Sequence, residues 1–200
     1  YNHETIALAF SITEEAIEDN LYDRLGSRYT RALARSMAHT KQVKAASVLN
    51  TAFTGGATAG GDGVALCANN HPLTNGGTFS NIPAVAADLN ETSLEDALIN
   101  IAGFVDERGL KVALRGTKMI IPRQLQFIAE RILASNLRSG TADNDTNAMR
   151  SMGMLPSGYA VNDFLTDPDA FFVMTDAPRG MIHFERTALL KRSPTKGLLR

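Results

Sequence analysis

Residues 13–53 run for about forty positions without a proline, and the next proline is Pro72. Acids crowd the start (Glu14, Glu15, Glu18, Asp19) and bases take over from Arg24 to Lys44, an order that complements a helix dipole at its amino end. Ser11-Ile12-Thr13-Glu14 has capping-box spacing, with Thr13 as the other cap. A single helix over this run would span roughly 60 Å. A chain that contains such a rod must arrange its remaining residues along or at the end of it.

At about 100° per residue, Arg24, Arg28, Arg31 and Arg35 fall within about 60° of one another. Tyr22, Leu25, Tyr29, Leu33 and Met37 take the opposite half. Ile17 and Leu21 project onto the arginine side of a straight helix, so the run either breaks near Asp23–Gly26 or packs its two ends against different neighbours. Beyond residue 43 the surface is small and apolar, as suits a buried end. Four cations on one face repel one another and gain nothing within the helix. The stripe is either a solvated face or a site for an external anion, namely acids of another protein chain or enclosed nucleic acid.

The glycine-rich run at 54–63 ends this helix. Asn69-Asn70-His71-Pro72 and Asn75-Gly76-Gly77 read as turns. Ser93 is expected to cap a second helix with Leu94, Ala97, Leu98, Ile101 and Val105 inward. Val112–Leu114 and Met119–Ile121 read as strands around Arg115-Gly116-Thr117, and Pro122 opens a third helix. Residues 135–153 read as a polar loop. Tyr159–Phe164, Ala170–Met174 and Met181–Arg186 read as strands. Helices and strands without regular alternation give an α+β fold.

Composition removes several functions. Twenty Lys+Arg face 21 Asp+Glu, so there is no general attraction for nucleic acid. No stretch approaches the roughly 18–20 apolar residues of a membrane-spanning helix. The one cysteine, Cys67, forms no internal disulfide and fits a reducing compartment. Cys67 and His71 are too few for a zinc site. A nucleophile site could draw on Cys67 or a serine with His71 and an aspartate, and a small hydrolase using Cys67 and His71 stays as an alternative. Gly60-Gly61-Asp62-Gly63 lacks the Lys-Ser/Thr of a phosphate loop, and Asp167, Asp169 and Asp176 are turn formers without the rest of a calcium loop. No catalytic residue, cofactor or metal is expected. Tyr1-Asn2-His3-Glu4 carries neither an initiator Met nor a signal-peptide pattern, and the strand-like Thr5–Phe10 lacks a partner before it. Residue 1 therefore reads as an internal position of a longer polypeptide.

Taken together, the run Ile12–Asn20 continuing through Tyr29–Phe53 resembles the long spine helix of tailed-phage major capsid proteins, with the Mu-like major head subunit group nearest. Asp62-Gly63-Val64-Ala65-Leu66 followed by His71-Pro72-Leu73 and Gly76-Gly77-Thr78 is similar to that group's connection after the spine. Thr166–Phe172, Thr175–Met181 and Phe184-Glu185-Arg186 look like its carboxyl-terminal strands. The resemblance implies a peripheral strand and spine helix over 1–63, a mainly axial domain over 64–160, and 161–200 returning to the peripheral strands. It implies a shell subunit that assembles as pentamers and hexamers into an icosahedral head around double-stranded DNA. Implied partners are copies of the chain itself, packaged DNA, and scaffolding, portal or decoration proteins, with no membrane. The implied place is the virion, after assembly in the host cytoplasm. Arg24, Arg28, Arg31 and Arg35 would then meet a neighbouring subunit or face the DNA. An encapsulin-type nanocompartment, loading a cargo enzyme instead of DNA, shares the fold.

Overall fold

The computed structural model describes residues 4–19, 22–55, 60–138, 145–178 and 180–185, with the side chains of 16 and 22–24 excluded. The proline-free run forms two helices instead of one. Helix α1 is Glu14–Glu18, preceded by Thr13 at the N-cap position without a side-chain cap bond. The helix stops at Asp19, before the expected break. Helix α2 then spans Tyr22–Asn50, 29 residues. Gly26 lies inside it, and a side chain there would meet Ile12 at 3.7 Å.

Residues 4–12 form no strand with the described residues, contrary to the reading of Thr5–Phe10. They run antiparallel along α2 instead. Glu4 reaches Lys44 at 2.9 Å, Phe10 meets the Tyr29 ring at 5.7 Å, and Ile12 ends beside Gly26.

After the glycine run the chain is tied back to the end of α2, where the Cys67 amide donates to the Ala52 carbonyl at 2.8 Å. A short hairpin follows, with β1 (His71–Pro72) antiparallel to β2 (Thr78–Phe79). Helix α3 (Glu91–Ala102) begins three residues before the position expected from Ser93. Asn90 is the cap, and its side chain accepts from the Ser93 amide while Ser93 Oγ accepts from the Asn90 amide. This reciprocal box satisfies two donors at the helix start.

Strand β3 (Gly116–Ile121) absorbs the residues read as a turn at 115–117, and no strand forms at 112–114. Pro122 precedes a 3-10 turn, Arg123–Leu125, which leads into α4 (Gln126–Ala134). Part of the expected loop is ordered as the short helix α5 (Ala148–Ser151), and residues 139–144 of it lie outside the described residues. Strands β4 (Tyr159–Val161) and β5 (Phe172–Thr175) complete the sheet in the order β4-β3-β5. Strand β4 is parallel to β3 and β5 antiparallel. The expected division at 160 thus falls within β4, and β5 of the tail pairs with the central strand. Residues 180–185 carry no strand, and Arg186 lies outside the described residues.

The core joins this sheet to α3 and α4. Leu94, Met119, Ile121 and Ala129 are fully enclosed, with Leu98, Ile101, Leu125 and Ile132 nearly so. Burial of such side chains is the main stabilising term, about 1.5–3 kcal/mol each. Strand β3 is central and enclosed, which explains why its apolar run was legible in sequence.

Candidate assembly surface

Helix α2 sorts its surface by length and by azimuth. Over its last turns it packs on the sheet body, where Ala46 and Leu49 are buried. The Asn50 side chain locks this end by donating to the Phe164 carbonyl at 3.0 Å and accepting from the Thr166 amide at 3.1 Å. Phe53 stacks on Phe172 at 5.7 Å, and the His39 ring meets Phe164 edge-on at 5.2 Å. The contacts of this end with the body thus run from His39 to Phe53.

On the amino-terminal half of α2, residues 4–12 cover the face carrying Gly26 and Tyr29. The arginine face lies about 180° away at helical periodicity. Arg28, Arg31 and Arg35 are exposed there and make no ion pair or hydrogen bond with described residues. The Arg24 side chain lies outside the described residues. The contrast with the lysines is informative: Lys41 pairs with Glu185 at 3.2 Å and Lys44 with Glu4 at 2.9 Å. Both pairs are half-exposed and worth about 0–1 kcal/mol each. They matter here because they divide the described cations of α2 into those paired with a described residue and those that are not. Sequence spacing gave no signal for either acid, since the pairs span 144 and 40 residues.

The Cys67 thiol makes no hydrogen bond with His71. His71 Nδ1 lies 2.7 Å from Asp62 Oδ2, and its buried Nε2 has no partner among the described residues. Desolvation pushes the Cys67 thiol above its ordinary pKa, which lowers the thiolate fraction that a nucleophile needs. Among the described residues no group of three or more His, Cys, Asp or Glu converges as metal ligands. An open groove of about 190 Å³ beside Leu89, Ile128, Arg131 and Asn147 holds neither histidine nor cysteine.

Asp62 itself was missed as the partner of His71. The histidine hydrogen bond, followed by the Val64 amide, holds its carboxyl below the ordinary 3.8. A depressed carboxyl contributes stability that is present above the unfolded pKa and is lost as pH falls through the folded one. Asp62→Asn is accordingly expected to be less stable than the wild type near neutral pH. Its deficit should shrink below about pH 4. Thermal melts of both proteins across that range measure this, and a deficit independent of pH would exclude the carboxylate as its source.

A family model described as phage capsid protein matches residues 1–192. The chain belongs to that family. Searches of curated proteins and of solved structures return no match. The capsid protein is thus a structural component of the virion with a mixed helix-and-sheet fold. None of its described helices is long and apolar enough to cross a membrane. Arg28, Arg31 and Arg35 thus form an exposed cationic face of this capsid protein without an ion pair to any described residue.

Proposed function

We propose that this capsid protein is the major head subunit of a tailed phage, close to the Mu-like group, and that it closes as pentamers and hexamers into an icosahedral shell around double-stranded DNA. In this reading α2 is the spine, residues 1–63 are peripheral, and 64–160 are mainly axial. The tail lends β5 to the axial sheet and then returns along the spine, a path supported by the Lys41–Glu185 pair. Arg24, Arg28, Arg31 and Arg35 are the assembly stripe. The observation that carries the proposal is the family match over 1–192, joined to a long helix whose Arg28, Arg31 and Arg35 make no ion pair with described residues.

Rings built this way are heterologous contacts closed by rotation. Scaffolding, portal and decoration proteins would act on such a shell after or during closure in the host cytoplasm. Sedimentation and negative-stain microscopy of the full-length polypeptide test the reading. Closed particles tens of nanometres across, or isolated pentamers and hexamers, are expected. A stable monomer or dimer overturns it. Particles free of nucleic acid that enclose a protein cargo would instead favour a nanocompartment.

A further inference from the structure

The face of α2 that carries the arginines is the same face that, farther along, is buried on the sheet body. By helical periodicity Ala46 and Leu49 share the azimuth of Arg28, Arg31 and Arg35 to within about 60°. The stripe therefore continues the packed azimuth toward the amino end of the helix, on the far side of the His39–Phe164 contact in sequence. An acidic element of another molecule could lie along this exposed row.

We infer that the occupant is helix α1 of a second copy of this chain. The assignment rests on the assembly reading above and adds to it the surface on which the neighbour docks. Charge complementarity carries it. Glu14, Glu15 and Glu18 are exposed and make no ion pair with described residues, just as Arg28, Arg31 and Arg35 make none. The spacings also agree. Glu14 and Glu18 stand about 6 Å apart along their helix axis, as do Arg31 and Arg35 along theirs. Residues 4–12 lie on the opposite face of α2 and leave the arginine face open. A chain with 20 Lys+Arg and 21 Asp+Glu has little general attraction for nucleic acid. It does carry, on one protomer, both halves of a contact between unlike patches, which is the kind that propagates around a ring.

Charge reversal tests this with the full-length polypeptide. The triple variants R28E/R31E/R35E and E14K/E15K/E18K should each stay folded by far-UV circular dichroism. Each should lose particle yield about tenfold or more, because like charges now face each other. Combining all six changes in one chain should restore assembly, since every contact is again between opposite charges. The neutral sets R28Q/R31Q/R35Q and E14Q/E15Q/E18Q supply a second readout: each should weaken assembly, and the two together should be no worse than either alone.

Normal assembly of the E14K/E15K/E18K variant would overturn the inference while leaving the shell reading intact. So would strictly additive losses in the neutral sets. Stripe-reversed particles that form in full yield but without nucleic acid would assign the arginines to the packaged strand and overturn the protein contact. A wild-type chain that fails to assemble at all overturns the shell reading, and this contact with it.

Discussion

Asn147→Ala is expected to lower the stability of the unassembled subunit by about 2–4 kcal/mol, a thermal shift of roughly 5–15 °C for a domain of this size. Asn147 is 2% exposed, the one buried polar side chain among the described residues. Its amide nitrogen donates to the Ile132 carbonyl at 2.6 Å and to the Ser135 carbonyl and hydroxyl, each at 3.1 Å. Its oxygen accepts from the Arg150 amide at 3.3 Å and so caps α5. One side chain thus closes the end of α4 onto the start of α5, aided by the Arg150 guanidinium on the Ala134 carbonyl.

Truncation leaves the Ile132 carbonyl buried without its donor, and an unsatisfied buried acceptor costs about 1–3 kcal/mol. Loss of the α5 cap adds about 1 kcal/mol. Asn147→Asp keeps the acceptor for Arg150 but sets a carboxylate against two carbonyl oxygens, so it should be no better than alanine. The exposed Asn136 provides the control, since Asn136→Ala should stay within about 0.5 kcal/mol of wild type. Thermal melts of the four proteins decide it. An Asn147→Ala variant as stable as the control would mean that this network contributes nothing.

Gly116→Ala should cost about 1–3 kcal/mol, and Gly116→Val more, enough to remove the soluble subunit. Gly116 is buried at the start of β3. A Cβ there would lie 2.5 Å from Leu98 Cδ2, 3.1 Å from Val173 Cγ1 and 3.2 Å from Leu155 Cδ2. Those contacts come from α3, from β5 and from the turn before β4, so no single shift relieves all three. The requirement is for space, not for a left-handed backbone, because Gly116 is absent from the positive-φ glycines. Urea midpoints measure the alanine variant. Shortening the closest neighbour should couple to it: Leu98→Ala and Gly116→Ala together should cost at least about 0.5 kcal/mol less than the sum of the single changes. Strict additivity would show that the Leu98 methyl is not the obstacle.

The long helix, its arginine row, the glycine stop after it and the Met119–Ile121 strand were legible in the chain itself. Each is a local signal: a 3.6-residue period, a run of residues that favour turns, or an apolar stretch too short for a helix. The family resemblance rested on the order of such pieces and agrees with the match over 1–192. Local signals gave wrong boundaries where two caps competed. Asn90 took the cap position from Ser93 because the box is satisfied in that register, with Ser93 as its third member. The break after α1 came at Asp19 and not at Gly26, since the glycine is held inside α2 with Ile12 against its bare face.

Other features depended on contacts between distant residues. Tyr159–Val161 and Phe172–Thr175 were readable as strands, but only the sheet decided that both flank β3, one parallel and one antiparallel. Asn147 looked like one more polar loop residue until α4 and α5 enclosed it. The lysines and arginines of α2 are equivalent in sequence. What distinguishes them is where Glu4 and Glu185 fall after folding. Periodicity fixes the face that a side chain occupies on its own helix. Only the packing of remote segments decides whether that face meets the chain's own acids, its own core, or nothing within the same molecule.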